Sequence, residues 1–337
     1  MSSRTPRRSE LLSKIARLDA FSWEEVAMSV FRYQAAHNPL YARFLELLGR
    51  LPARITRPDD IPFLPIGLFK THLVQSGRWK PQEVFTSSGT TGQQPSRHAV
   101  RERRFYLENA RRGFAHFYGD PSEWCTLALL PAYLERPGSS LVAMVDDFIR
   151  RSRYAESGFF LRSDEALLQA IAICQERRHP TLLLGVSFAL LDFAERHPMP
   201  LPGVVVMETG GMKGRRQELT REALHALLCQ AFGLEGVHSE YGMTELFSQA
   251  YSQPHLGQPA RFWPAPTLRA AAVEVYDPLT RTAPGRTGVL CFMDLANLDT
   301  CSFIATEDVG RVYADGSFEV LGRLDAAEWR GCNLMVE

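Results

Sequence analysis

The chain has 337 residues, 45% hydrophobic and 23% charged, and its 38 Lys and Arg balance 38 Asp and Glu. This is the composition of an ordinary globular protein, and a formal net charge of zero argues against a dominant nucleic-acid or anionic-membrane partner. The longest apolar stretch, residues 181–194, is interrupted by Gly185, Ser187 and Asp192, and it falls short of the roughly 20 residues that span a bilayer.

The opening Met1-Ser-Ser-Arg-Thr-Pro-Arg-Arg lacks the apolar stretch of a secretory signal, so a cytoplasmic location is expected. Ser22-Trp-Glu-Glu25 fits a capping box, with Phe21 placed to begin a hydrophobic staple. The helix it starts is expected to run to about Ala36 and to stop before Asn38-Pro39. Residues 50–65 hold four prolines and predict an extended connector. Short apolar runs at 127–130, 181–184 and 204–207 predict buried strands of a mainly parallel sheet, and 165–177 and 220–232 predict its covering helices. After about residue 255 the pattern turns β-rich, with runs at 273–276, 289–292 and 309–313 and a hairpin signal at Asp315-Gly316 before 318–320.

Two segments carry chemistry. Thr86-Ser-Ser-Gly-Thr-Thr-Gly92 offers glycine backbone and hydroxyl donors, which suits a polyphosphate, although no Gly-Lys-Ser/Thr closes it as in a Walker A loop. Tyr241-Gly-Met-Thr-Glu245 follows a predicted strand at 237–239 and combines a ring that can stack on a base with a carboxylate that can hold Mg²⁺. Six cysteines lie ten or more residues apart, which gives no zinc-knuckle spacing.

In this order the two segments resemble the phosphate loop and the Tyr-Gly-x-Thr-Glu motif of the adenylate-forming superfamily of acyl-CoA synthetases, peptide-synthetase adenylation domains and luciferases. Two further matches follow: Thr306-Glu-Asp308 is similar to the acidic Thr/Ser-Gly-Asp motif, and Gly322-Arg-Leu-Asp325 to the Gly-Arg-x-x-Asp hinge. The resemblance covers roughly residues 60–337. It implies an α/β fold, the large N-terminal-type domain of that superfamily, with ATP and Mg²⁺ as cofactors and a carboxylic acid, in particular a fatty acid, as substrate. The implied organisation is a helical segment over 1–60, an α/β nucleotide-binding core over 61–255 and a β-rich subdomain over 256–337.

The resemblance also implies roles. Thr86, Ser87, Ser88, Gly89, Thr90, Thr91 and Gly92 would wrap the phosphates, and Gly210 and Gly211 would let adenine approach the backbone. Tyr241, with Gly242 beside it, would lie along the adenine, Thr244 would approach the α-phosphate and Glu245 would hold Mg²⁺. Asp308 would accept from the ribose hydroxyls, and Arg323 would reach the ribose or the phosphates.

The sequence also departs from the pattern. Gln93-Gln-Pro-Ser-Arg97 stands where Pro-Lys usually follows the loop, which makes Arg97 the candidate substitute, and Glu307 stands where glycine is usual. Only 12 residues follow Asp325, where acyl-CoA synthetases carry a further domain with the adenylation lysine. The expected fold thus lacks the usual small C-terminal domain, and free CoA becomes a poor acceptor. Acyl-protein synthetases of LuxE type are similarly short and end soon after the hinge with a cysteine, here in Arg330-Gly-Cys332. That resemblance implies that Cys332 takes the acyl group as a thioester, with an acyl-thioester reductase or acyl carrier protein as partner. Arg330 beside it would favour the thiolate.

Three alternatives stand beside this reading. One is an acyl-CoA or carrier-protein ligase completed by a separate C-terminal partner, and another is a non-catalytic nucleotide-binding partner. The third is a serine hydrolase, in which Gly185-Val-Ser-Phe-Ala189 resembles a nucleophile elbow, with Ser187, Asp192 and His238 as the triad.

Overall fold

The computed structural model describes residues 6–87, 94–130, 138–160, 163–210, 219–254 and 261–324. Its strands are β1 (Leu64–Pro65), β2 (Glu83–Thr86), β3 (Arg97–Val100), β4 (Cys125–Leu129), β5 (Gly158–Phe159), β6 (Thr181–Val186), β7 (Val204–Thr209), β8 (His238–Tyr241), β9 (Ala250–Ser252), β10 (Trp263–Pro264), β11 (Leu268–Val273), β12 (Thr287–Asp294), β13 (Phe303–Val312) and β14 (Phe318–Arg323).

A seven-stranded sheet runs in the order β10-β9-β8-β7-β6-β4-β5. The pairs from β5 to β8 are parallel, and β9 and β10 add an antiparallel edge. Every residue of β4 and β6 is buried, as continuous apolar runs require when helices cover both faces. The predicted helices form as Asp164–Arg177 and Arg221–Phe232. The Ser163 and Thr220 hydroxyls accept from the Ala166 and Ala223 N–H groups at their starts, and left-handed Arg178 and Gly233 end them.

A five-stranded sheet follows the order β1-β13-β12-β11, with β14 paired to residues 308–312 of β13, beyond the stretch that β1 pairs. It is antiparallel apart from β1, which pairs parallel with β13. A β-bulge separates Val309 from Gly310, where an added Cβ would lie 2.0 Å from the Glu319 carbonyl oxygen, so only glycine fits. The β-rich run expected at 273–276 is instead the end of β11 and a turn. There the Asp277 carboxylate accepts from the Leu279 N–H and the Thr280 hydroxyl.

One apolar core lies about the parallel sheet. A second joins helices Arg8–Ala16, Trp23–His37 and Pro39–Leu47 to the C-terminal sheet, so the expected 1–60 segment and the β-rich region pack on each other. The join is polar at its centre. The buried Gln34 carboxamide donates to the Asn297 and Leu298 carbonyls and accepts from the Ser302 N–H, while Arg8 grips Asp299 with two bonds of 2.6 Å.

The capping box at Ser22 does not form. Asp19 intercepts it, accepting both the Ser22 N–H at 2.8 Å and the Ser22 hydroxyl at 2.7 Å. Phe21 is 99% exposed and staples nothing, yet the helix still starts at Trp23, because its apolar face is buried in the second core. Among the described residues, no helix is long and apolar enough to cross a membrane.

Candidate functional site

The parallel strands β6, β7 and β8 end side by side, with Val186 opposite Thr209 and Thr209 opposite Glu240. Beyond those ends opens a cavity of about 960 Å³, where open α/β sheets characteristically bind ligands. Described residues from each of the four matched motifs and the glycine pair line it: Thr86 and Ser87 at the end of β2, Gly210 after β7, Tyr241, Gly242, Thr244 and Glu245 from β8 onward, Thr306 and Asp308 from β13, and Gly322 and Arg323 from β14. Ser88, Gly89, Thr90, Thr91, Gly92, Gly211, Asp325 and Cys332 lie outside the described residues. A groove of about 950 Å³ between residues 49–63 and 271–284 gathers none of the predicted residues.

Tyr241 ties two motifs together. Its Oη donates to Asp308 Oδ2 at 2.7 Å, while its ring packs on Phe262, Phe292 and Phe318. Asp308 sits opposite Arg323 in the β13–β14 register, and Arg323 Nε is 3.9 Å from its carboxylate. Burial raises the Asp308 pKa, with Tyr241 and Arg323 pulling against it. Arg323 also reaches Glu307 at 3.1 Å, and Lys70 reaches the other Glu307 oxygen at 3.6 Å. The residue found where glycine is usual is therefore an ion-pair partner on the cavity rim.

The segment from Thr244 to Ser248 has almost no regular structure of its own and is held from outside. The buried His98 ring spans two oxygens, with Nδ1 2.8 Å from the Thr244 carbonyl and Nε2 2.9 Å from Thr300 Oγ1. A carbonyl only accepts, so Nδ1 carries the proton and Nε2 accepts from Thr300. Burial lowers the His98 pKa to about 4, which keeps the ring neutral at physiological pH. The Asn297 amide donates to the Glu245 carbonyl at 2.7 Å, and the buried Asp294 carboxylate accepts from the Phe247 and Ser248 N–H groups. The Glu245 side chain is itself buried, which raises its pKa, with Ser96, Arg323 and Lys70 opposing the rise.

Gly242 is closely approached by a neighbour. A Cβ there would lie 2.5 Å from Glu240 Oε1, so the glycine makes room for a buried carboxylate at the cavity wall. The Thr306 hydroxyl faces inward, donating to the Leu290 carbonyl and accepting from the Asp308 N–H, and so it braces the strand that carries Asp308.

Arg97 does not line the cavity. On β3 it alternates with His98, and the inward place belongs to the histidine, which leaves Arg97 exposed. Lys70, on the short helix Leu68–Thr71, lines the cavity instead. The nucleophile elbow is not formed either. Ser187 opens helix Ser187–Arg196 without positive φ, and its hydroxyl donates to Glu208 at 3.1 Å, while the His238 ring is 3.1 Å from the Tyr118 hydroxyl. The sequence reasoning missed His98, Asp294, Asn297, Lys70, Glu208 and Glu240. The available signal was a polar residue inside an apolar run, as in Met207-Glu208 and Asp294-Leu-Ala-Asn297.

No protein-family model and no curated protein sequence matches the chain. Solved structures do. A 2-hydroxyisobutyryl-CoA ligase, in an open conformation with 2-HIB-AMP and CoA, superposes with a TM-score of 0.64 at 13% identity, covering 90% of this chain and 70% of that one. ATP-bound MatB from Rhodopseudomonas palustris gives 0.51 at 16% identity, covering 73% of this chain and 49% of that one. A RpMatB-BxBclM chimera with ATP gives 0.53 at 18% identity and the same coverages. The chain thus spans 70% of the first protein's length and about half that of the other two. At these identities the likeness concerns architecture: the parallel and antiparallel sheets of this chain make the fold of the adenylate-forming ligases.

Proposed function

We propose that the protein activates a carboxylic acid with ATP and hands the acyl group to a thiol. The observation that carries this reading is the convergence of residues from β2, β7, β8, β13 and β14 on one cavity, among them the Tyr241 ring, the Asp308 carboxylate bonded to it and the cations Lys70 and Arg323. In the first step a carboxylate oxygen of the acid attacks the α-phosphorus of ATP. The bond from that phosphorus to the bridging oxygen breaks, giving acyl-AMP and pyrophosphate. Asp308 accepts from the ribose hydroxyls, Tyr241 lies along the adenine, and Arg323 and Lys70 draw negative phosphate oxygens to the rim.

Among the described residues, no group of three or more His, Cys, Asp or Glu could hold a metal ion. A single cavity carboxylate suits Mg²⁺, which takes most of its ligands from phosphates and water, and Glu245 would be that ligand. The ion would offset charge on the phosphates, while Thr244, fixed through its carbonyl by His98, approaches the α-phosphate.

In the second step a thiolate attacks the acyl carbon, the bond to the AMP oxygen breaks, and AMP leaves as the thioester forms. Cys332 is the proposed nucleophile. Three of the other cysteines support this by their placement: Cys125, Cys291 and Cys301 are buried, and burial pushes each thiol up to about 12, whereas Cys229 is only part-buried. Downstream, an acyl-thioester reductase or acyl carrier protein would receive the acyl group. Intact-mass analysis after incubation with Mg-ATP and an acid tests the transfer. The wild type is expected to gain a hydroxylamine-labile acyl mass that Cys332→Ala does not, and equal labelling of the two would remove Cys332 from the account.

A further inference from the structure

The cavity wall next to the nucleotide motif is built from buried acceptors. Glu208 and Glu240 are 4% and 5% exposed, and both line the cavity where β7 and β8 end. Glu240 directly precedes Tyr241, so this wall begins one residue before the segment assigned to adenine and the α-phosphate. Two carboxylates offer about eight acceptor positions. Among the described residues, the hydrogen bonds that reach them are two: Ser187 Oγ to Glu208 Oε2 at 3.1 Å and Thr209 Oγ1 to Glu240 Oε2 at 2.6 Å. The His225 ring stands 3.7 Å from Glu208, beyond hydrogen-bond reach, and the attraction of Arg221 for Glu208 adds charge compensation. Gln249 lines the same cavity, is 4% exposed, and has an Oε1 buried without a hydrogen-bond partner among the described residues.

Buried acceptors without donors are costly, and the cost falls when a ligand supplies the donors. A plain alkyl chain would strip water from this wall and give nothing back. We propose that Ser187, Glu208, Thr209, Glu240 and Gln249 form an acid-recognition subsite that selects a carboxylic acid carrying N–H or O–H donors on its chain over the unsubstituted alkyl acid. The inference rests on the adenylation reading, because it assumes that the acid's carboxylate meets the nucleotide beside Thr244. Charge favours an amino substituent, since both wall side chains are acids; a hydroxyl meets the same acceptors. Burial and the nearby Glu208 raise the Glu240 pKa to about 7, and a donor on the acid would favour the charged carboxylate and oppose that rise.

The test uses three acyl-sulfamoyl adenosine conjugates of equal chain length, with unsubstituted, hydroxy-substituted and amino-substituted acyl groups, titrated calorimetrically into the full chain. The better donor-bearing conjugate is expected to bind at least about 10-fold more tightly than the alkyl one, and the tighter of the two identifies the donor. In Glu240→Gln the ratio is expected to fall toward one. Ser187→Ala, which removes less, is expected to lower it partially, and the melting curve of each variant checks that it folds. Equal binding of all three conjugates by the wild type overturns the subsite and leaves the adenylation reading standing. Binding of none contradicts both.

Discussion

Tyr241 Oη donates to Asp308 Oδ2 at 2.7 Å and so joins the end of β8 to the middle of β13, 67 residues away in the chain. The bond keeps a part-buried carboxylate partnered from one side while Arg323 faces it from the other. Hydrogen bonds to charged groups contribute about 1.5–3 kcal/mol. A double-mutant cycle with Tyr241→Phe and Asp308→Asn is expected to give a coupling energy in that range in urea unfolding, and additive single-mutant effects would contradict the pairing.

Glu245 is assigned to Mg²⁺, which fixes the sign of its variant. In Glu245→Gln the Mg²⁺ concentration for half-maximal pyrophosphate release is expected to rise at least about tenfold, because the ion loses its protein carboxylate. Metal-free ATP is expected to bind no more weakly than to wild type, since a carboxylate that repels phosphate has gone. A parallel loss of metal-free ATP affinity would place Glu245 in a structural role.

His98 holds the Thr244 carbonyl and does not itself line the cavity. His98→Phe keeps a ring in the space but leaves the Thr244 carbonyl and the Thr300 hydroxyl unpaired, for an expected destabilisation of about 2–4 kcal/mol. If positioning is its role, kcat for pyrophosphate release falls about tenfold or more with KM for ATP changed little. His98→Asn, which can still donate to a carbonyl, is expected to recover part of kcat.

Two buried acids make stability depend on pH in the unusual direction. Burial lifts Glu240 from 4.5 to about 7 and Asp294 from 3.8 to about 6. Both are raised in the folded state, so their contribution is complete below their unfolded values near pH 4 and is lost as pH rises through about 6 and then 7. Relative to wild type, Glu240→Gln is therefore expected to gain up to roughly 3 kcal/mol between pH 4.5 and 8, read from urea midpoints across that window. A constant difference across pH would mean that Glu240 titrates normally.

Much of the scaffold could be read from chain order. The runs at 181–184 and 204–207 became β6 and β7, because fully apolar strands have few other places to go, and Ser163 and Thr220 cap helices near the predicted starts. Tyr241, Glu245, Asp308 and Arg323, singled out in the sequence through the family resemblance, line one cavity. Their supports were not singled out. His98, Asp294, Asn297 and Thr300 act through contacts up to 202 residues apart, and local pattern carries no information about such pairs. The capping box at Ser22 failed for a local reason: Asp19, three residues upstream, competes for the same hydroxyl. The packing of the N-terminal helices on the C-terminal sheet depends on the Arg8–Asp299 and Gln34–Ser302 bonds, which no period reveals.

The most direct test of the account is acid-dependent ATP–pyrophosphate exchange by the purified full chain with Mg²⁺, over a panel of amino-substituted, hydroxy-substituted and unsubstituted carboxylic acids. Exchange that requires an acid, and that falls at least about 100-fold in Asp308→Ala in the absence of unfolding, is the predicted result. Exchange that no acid stimulates, in a protein that still binds ATP, would contradict adenylation and leave a nucleotide-binding protein without this chemistry.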